Sequence, residues 1–228
     1  GDTIDIHGGG ADLEFPHHTN EIAQSEAKTG KTFANYWMHN GFVNIDNVKM
    51  SKSLGNFITV HDALKTIDGQ VLRFFFATQH YRKPINFTEK AVRDAETNLK
   101  YLKNTYEQPF TGEVDPADLQ GFVDKFIVAM DEDINAANGI TVVFELAKWI
   151  NSGHYNQDVK DALTKMLEVF GVVFVEEVLD ADIEALIAER QEARAKKDFA
   201  RADAIRDELA AQGIKLLDTK EGVRWTRD

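Results

Sequence analysis

The sequence predicts an α/β segment at the amino-terminal end, a mostly α-helical bundle in the middle and a small α+β domain at the carboxy-terminal end. Three observations predict it. Residues 3–29 run from a polar–apolar alternation through three glycines into a helical pattern. Residues 119–178 repeat apolar side chains at helical spacing two or three times over. A helix pair closing at Gly213 precedes two short runs that read as a hairpin.

The elements follow in order. Thr3-Ile4-Asp5-Ile6 alternates and reads as a short strand. His7-Gly8-Gly9-Gly10 then reads as a loop, and residues 17–29 as a helix with Pro16 in its first turn and Ile22, Ala23 and Ala27 on one face. Gly41 to Val48 predicts a hairpin turning at Asp46-Asn47. A lysine–serine loop occupies residues 49–56. Helices are expected at 60–80 and 88–106, the second with Ala91, Ala95, Leu99 and Leu102 on one face. Pro109, Gly112 and Pro116 mark a linker at 107–118. Phe122, Phe126 and Ile134, then Val142, Val143, Leu146 and Ile150, then a helix at 158–178 form the bundle. The end domain begins near Asp180, with helices at 182–196 and 199–211 broken at Lys197-Asp198, a stop at Gly213, and strands at 214–217 and 223–226. The divisions expected are 1–40, 41–106, 107–179 and 180–228.

Composition narrows the function classes. The chain has 228 residues, 43% hydrophobic and 28% charged, enough to bury sizeable cores. No apolar run approaches the roughly 20 residues of a membrane span. There is no cysteine, which excludes disulfides and any thiolate zinc site built from this chain alone. No signal or transit pattern is visible, and the sequence begins without Met. The net charge of −12 sits in the middle: residues 104–182 carry 4 basic and 16 acidic groups, and both flanking segments balance. Either end is therefore free to meet a polyanion that the middle repels.

The strongest motif is Lys49-Met50-Ser51-Lys52-Ser53-Leu54-Gly55-Asn56. Two ammonium groups and two serine hydroxyls on a loop ending in Gly-Asn suit a triphosphate, because lysines neutralise the charge of a departing pyrophosphate. A plain solvated turn is the bland alternative. Three successive glycines let a backbone approach a flat ligand or sugar, or simply make a tight turn. His17 and Glu21 lie four apart on the expected helix and project from one face. They make half of a zinc site, or a surface hydrogen bond. Arg194, Lys196, Lys197 and Arg201 flank Phe199 at the helix break. Basic groups around a ring suit unstacked bases; a solvated face with Phe199 in a small core is the alternative. Trp37, Arg73, Phe74 to Phe76, His80, Tyr81 and Arg82 read mostly as packing.

The lysine–serine string resembles the signature loop of class I aminoacyl-tRNA synthetases. The run from His7 through Asp12, Pro16, His17 and His18 to Glu21 resembles the cysteinyl-tRNA synthetase family, as does Arg194 to Phe199 with Ala202-Asp203, Asp218 and Trp225. The resemblance covers nearly the whole chain and is weakest in the bundle. It implies the remnant of a class I nucleotide-binding domain, a connective region, a helical bundle and an anticodon-binding domain. The His-Ile-Gly-His-type motif and two upstream zinc-binding cysteines of the family have no counterpart here. A carboxy-terminal portion of such an enzyme is therefore expected.

The resemblance also implies roles. Lys49 and Lys52 are expected to be catalytic, with His7, Gly9, Asp12, Ser51 and Lys52 binding ATP or substrate. His7 is expected near the amino acid, Gly9 and Asp12 near the adenylate. His17 and Glu21 match zinc ligands, with His18 structural and two further ligands outside the chain. A soft metal with an open position would bind a thiolate and reject serine's hydroxyl. Arg194, Asp203 and Asp218 match anticodon-reading positions, with Trp225 either there or in the core. The cofactors implied are Zn2+, and ATP with Mg2+ as substrate; the partners are cysteine and cysteine tRNA. A cytoplasmic monomer is expected. The function implied is cysteine–tRNA ligation, with the isolated chain inactive. The alternatives are a non-catalytic tRNA-binding fragment and a related ligase that joins cysteine to an amino-sugar.

Overall fold

The computed structural model describes residues 1–175, 181–219 and 222–227. The chain forms two compact units, Gly1–Phe174 and Val175–Asp228. The first unit opens with a β–α–β arrangement. Strand β1 (Ile4–Gly10) pairs in parallel with β2 (Ala34–Asn40), and helix α1 (Thr19–Thr29) lies between them in sequence. The register sets His7 beside Trp37 and Gly9 beside His39.

The glycines therefore do not form a loop, contrary to the sequence expectation. Gly8, Gly9 and Gly10 are strand residues partnered by Met38, His39 and Asn40. Backbone pairing with β2 overrides the turn preference of a glycine run, and β2 itself gave no alternation to reveal it. The helix also starts later than expected. Residues 11–18 form two tight turns that include a cis Phe15–Pro16 bond, and Phe15 is extended at φ −134°, ψ 132°.

A second small sheet follows. β3 (Val43–Ile45) and β4 (Val48–Lys49) form the expected hairpin, with Asp46 and Asn47 both left-handed at φ 48° and 67°. β5 (Ile85–Phe87) joins β3 in parallel. The helix expected at 60–80 is two pieces, α2 (Val60–Ala63) and α3 (Gly69–Ala77). The Asp68 carboxylate accepts from the amides of Gln70 and Val71 and so starts a new helix there. In α3, Phe74 and Phe75 are buried and Phe76 is partly exposed, as three consecutive helical positions require.

Four longer helices build the bundle: α4 (Glu89–Tyr106), α5 (Pro116–Asp131), α6 (Ala136–Asn151) and α7 (Gln157–Val169). Each begins at a side-chain cap, from Thr88, Asp115, Asn135 and Asn156 in turn. Their apolar faces meet at Leu102, Val143, Leu146, Ile150, Val159 and Leu163, all essentially inaccessible to solvent. Tyr155 is buried with them, and its hydroxyl donates to the Tyr106 carbonyl at 2.6 Å. α7 stops at Val169 rather than continuing to 178. Gly171 is left-handed at φ +69°, and the Arg73 guanidinium fills the space a Cβ would need there. Arg73 Nε donates to the Phe170 carbonyl at 2.7 Å, tying α3 to the end of α7.

Asp133, in the left-handed turn between α5 and α6, is held by the segment that precedes β5. Arg82 donates to it through Nε (2.6 Å) and a terminal nitrogen (3.1 Å), and the Tyr81 hydroxyl donates at 2.7 Å. His80 lies 3.8 Å away. The Arg82 hydrogen bonds, then that of Tyr81, lower the Asp133 carboxyl to about 2.

In the second unit, α8 (Ala181–Ala195) and α9 (Phe199–Ala211) pack with the hairpin β6 (Ile214–Thr219) and β7 (Gly222–Arg227). Ile183, Ile205, Leu209 and Ile214 form its core, with Trp225 against it. Asp198 caps α9, and Arg201 Nε donates to Glu189 at 2.8 Å across the helix break. No helix among the described residues is long and apolar enough to cross a membrane.

Leu163→Ala is expected to lower unfolding free energy by about 2–5 kcal/mol, read from urea unfolding. Val128→Ala, at an exposed bundle position, is expected to change it by less than about 0.5 kcal/mol. The Asp133 carboxyl has a folded pKa below its unfolded value of 3.8. Its contribution is complete above that value and is lost as pH falls from 3.8 toward about 2. Asp133→Asn keeps a residue that tolerates the left-handed turn. It is expected to lower the urea midpoint at pH 6 and to flatten the midpoint's fall between pH 4 and pH 2.

Candidate active site and nucleic-acid interface

Imidazoles gather on the glycine strand. His7 Nε2 and Glu21 Oε2 are 2.6 Å apart, joining β1 to the first turn of α1. His18 is buried, and its Nδ1 lies 2.8 Å from His39 Nε2. The His7 and His18 ring centroids are 4.7 Å apart, and Trp37 covers both at 4.9 and 5.3 Å. Trp37 and His39 stack at 6.1 Å with planes 10° apart. Gly9 is required here. A Cβ on it would lie 3.0 Å from His18 Cε1 and 2.9 Å from a Leu13 methyl.

His7, His18 and Glu21 each offer a donor atom, and the three atoms lie within 4.8 Å of one another. Two imidazole nitrogens and a carboxylate oxygen are a donor set that suits zinc. The sequence paired Glu21 with His17 instead. His17 is exposed, stands outside this group, and makes no hydrogen bond or ring contact among the described residues. It lies in the helical turn Glu14–His18 that runs directly into α1, whose one non-helical residue, Phe15, comes before it. His39 was missed because β2 was not recognised; a register of β1 against residues 34–40 would have exposed it.

The lysine loop borders this strand. Lys49 Nζ lies 3.7 Å from Asp12 Oδ2 and 3.8 Å from the centre of the Phe42 ring. Ser51 Oγ accepts from the Leu54 amide, and the Ser51 amide donates to Asn56 Oδ1 at 2.9 Å. Asn56 Nδ2 donates to the Lys49 carbonyl at 3.2 Å and closes the loop. Lys52 reaches toward the Phe57 ring at 5.6 Å. Lys49, Asp12 and the Ser51 loop are thus adjacent, with the Lys49 ammonium beside Asp12 and the Ser51 hydroxyl engaged within its own loop.

In the second unit, Arg194 and Asp203 line one cavity of about 160 Å³ with Arg190, Phe199, Ala202 and Arg206. Phe199 is 62% exposed, so it is not a core residue. The Asp218 side chain lies outside the described residues, although its backbone pairs with Val223.

Three family models match the chain: the class I (C) tRNA synthetase catalytic domain over residues 1–97, the DALR domain over 125–176, and the cysteinyl-tRNA ligase anticodon binding domain over 176–225. Two relatives named cysteine–tRNA ligase align over all 228 residues, from Streptococcus pneumoniae serotype 4 at 86% identity and Streptococcus mutans serotype c at 82%. Each alignment takes in 51% of the relative, so the chain spans about half the length of the curated relatives it matches. Two solved structures share the fold over 73% of the chain. One is a LeuRS–tRNA–LeuAMS complex from Agrobacterium radiobacter K84, with TM-score 0.55, 17% identity and 25% of that chain covered. The other is methionyl-tRNA synthetase of Mycobacterium tuberculosis with methionyl-adenylate, with TM-score 0.50, 15% identity and 40% covered. Motifs, fold and relatives agree: the chain belongs to the cysteinyl-tRNA synthetase family of class I aminoacyl-tRNA synthetases.

Proposed function

We propose that the chain serves cysteine–tRNA ligation, the ATP-dependent activation of cysteine and its transfer to the 3′ end of cysteine tRNA. What carries the reading is 86% identity over every residue of the chain to a protein named cysteine–tRNA ligase. The contact of Lys49 with Asp12 supports it, because it sets the lysine loop against the glycine strand.

In the first step, the cysteine carboxylate attacks the α-phosphorus of ATP. A carboxylate–phosphorus bond forms and the bond to the β-phosphate oxygen breaks, releasing pyrophosphate. Lys49 and Lys52 neutralise the charge that develops on the leaving group, and Ser51 donates to phosphate oxygen. Lys49 must leave Asp12 to do so, which frees Asp12 for the adenylate beside Gly9. In the second step, a ribose hydroxyl of the tRNA attacks the mixed anhydride and AMP leaves. His7, held by Glu21, faces the amino-acid end.

Glu21 and His17 are the proposed zinc ligands in this chain, with the remaining ligands from outside these residues. Glu21 accepts from His7 through one oxygen and keeps the other for the metal, and His17 has both ring nitrogens uncommitted. Zinc supplies a soft position for the cysteine thiolate that a serine hydroxyl does not fill. Arg194, Asp203 and Asp218 are the proposed anticodon contacts, and the anticodon-domain match over 176–225 favours them over the amino-sugar ligase reading.

The isolated chain is expected to bind cysteine tRNA but to catalyse no cysteine-dependent ATP–pyrophosphate exchange. Exchange is expected from a protein carrying this sequence at the relatives' full length. There Lys52→Ala should lower the exchange rate about 10²–10³-fold; an unchanged rate contradicts the role of the loop. After dialysis, the isolated chain should hold well under one zinc per molecule. The full-length protein should hold one, and His17→Ala should weaken its retention by more than the roughly 10–100-fold that loss of a ligand's supporting residue costs, read by metal analysis against a chelator.

A further inference from the structure

The cavity between α8 and α9 has a feature that the anticodon residues alone do not explain. Arg206 Nη1 lies 3.2 Å from Asp203 Oδ1, one turn back on α9, and Arg206 Nε lies 3.7 Å from Asp207 Oδ1. Two carboxylates of its own helix thus take up the charge of this guanidinium. Arg206 is poorly placed to anchor a phosphate, which needs a cation with charge to spare. It is well placed to fix a carboxylate.

We propose that Arg206 is a positioning residue for RNA reading. It holds Oδ1 of Asp203 and so presents Oδ2 to an unstacked base in the cavity. The inference rests on the tRNA function proposed above. An ionised carboxylate only accepts hydrogen bonds, so the edge it reads must donate. Cytosine and adenine offer an exocyclic amino group, and guanine offers N1–H with its amino group. Uracil sets a carbonyl oxygen on each side of its one N–H and is repelled. The exposed Phe199 ring gives such a base a face to stack on, in a cavity that Arg194 and Arg190 also line. Without Arg206, Asp203 would swing freely on an exposed helix face, and its preference for a donor edge would weaken.

The test uses the 228-residue chain and the anticodon stem-loop of cysteine tRNA, with variants in which one anticodon base at a time is changed to uracil. Binding is followed by fluorescence anisotropy across a salt series. The unaltered chain should prefer the cognate loop over at least one uracil variant by about 10-fold or more. Arg206→Gln should reduce that ratio to near 1 while leaving the slope of log K against log salt unchanged. Asp207→Asn, which leaves the Arg206–Asp203 pair intact, should keep the ratio. Should Arg206→Gln fail to fold, Arg206→Lys carries the same comparison, since lysine keeps the charge without the planar fork. A uniform loss of affinity with a slope smaller by about one identifies a phosphate anchor and overturns the proposal. An unchanged ratio overturns it as well, and leaves the tRNA reading standing. No binding by the unaltered chain overturns the tRNA reading, and this inference falls with it.

Discussion

The parallel pairing of β1 with β2 sets the distances on which the proposed catalytic end depends. Its register puts His7 beside Trp37 and Gly9 beside His39. Because β1 carries no side chain at Gly9, the His18 imidazole lies directly on the strand and reaches His39. The same strand delivers His7 to Glu21 and, through the turn at Asp12, meets the lysine loop. A side chain at Gly9 would separate these groups by filling the place His18 occupies. The glycine run is thus a structural condition for the imidazole cluster before it is anything for a ligand.

Stability and chemistry are drawn from different parts of the molecule. The bundle holds the large buried core, and its caps and apolar faces are ordinary helix physics. The lysine loop, Asp12, Glu21 and Phe199 are exposed or half-exposed, where exchange of partners costs little. Charge follows the same division. The acidic excess lies in residues 104–182, and the two ends are balanced, which on the proposed tRNA function directs RNA phosphates away from the bundle. On the same proposal, selectivity in the end unit falls to hydrogen-bonding edges and a stacking ring rather than to bulk positive charge.

Much of this was legible in the sequence, and the misses share a cause. The Asp46-Asn47 turn, the bundle helices and the closing hairpin are local: turn chemistry, caps and helical periodicity suffice to read them. β2 is not local. Its residues, Ala34 to Asn40, mix aromatic, polar and amide side chains with no alternation, and only pairing with β1 makes them a strand. Missing β2 turned the glycines into a loop and hid His39. The burial of His18 was hidden for the same reason, because it rests on the Trp37 and His39 rings of β2. Arg206 escaped notice because an Asp–Arg spacing of three on a helix is common, and only the shared cavity with Arg194 and Phe199 distinguishes this one.

Selection of sulfur over oxygen at the glycine strand is the central chemical claim. The most direct measurement of it is the ratio of cysteine- to serine-dependent ATP–pyrophosphate exchange by a protein carrying this sequence at the relatives' full length, with Glu21 intact and as Glu21→Gln. The intact protein should favour cysteine by several orders of magnitude, and the substitution should collapse that ratio far more than it slows exchange at saturating cysteine. If both amino acids lose rate in equal proportion and the ratio stands, the carboxylate does not act through a thiol-selecting metal, and the assignment of this site is wrong.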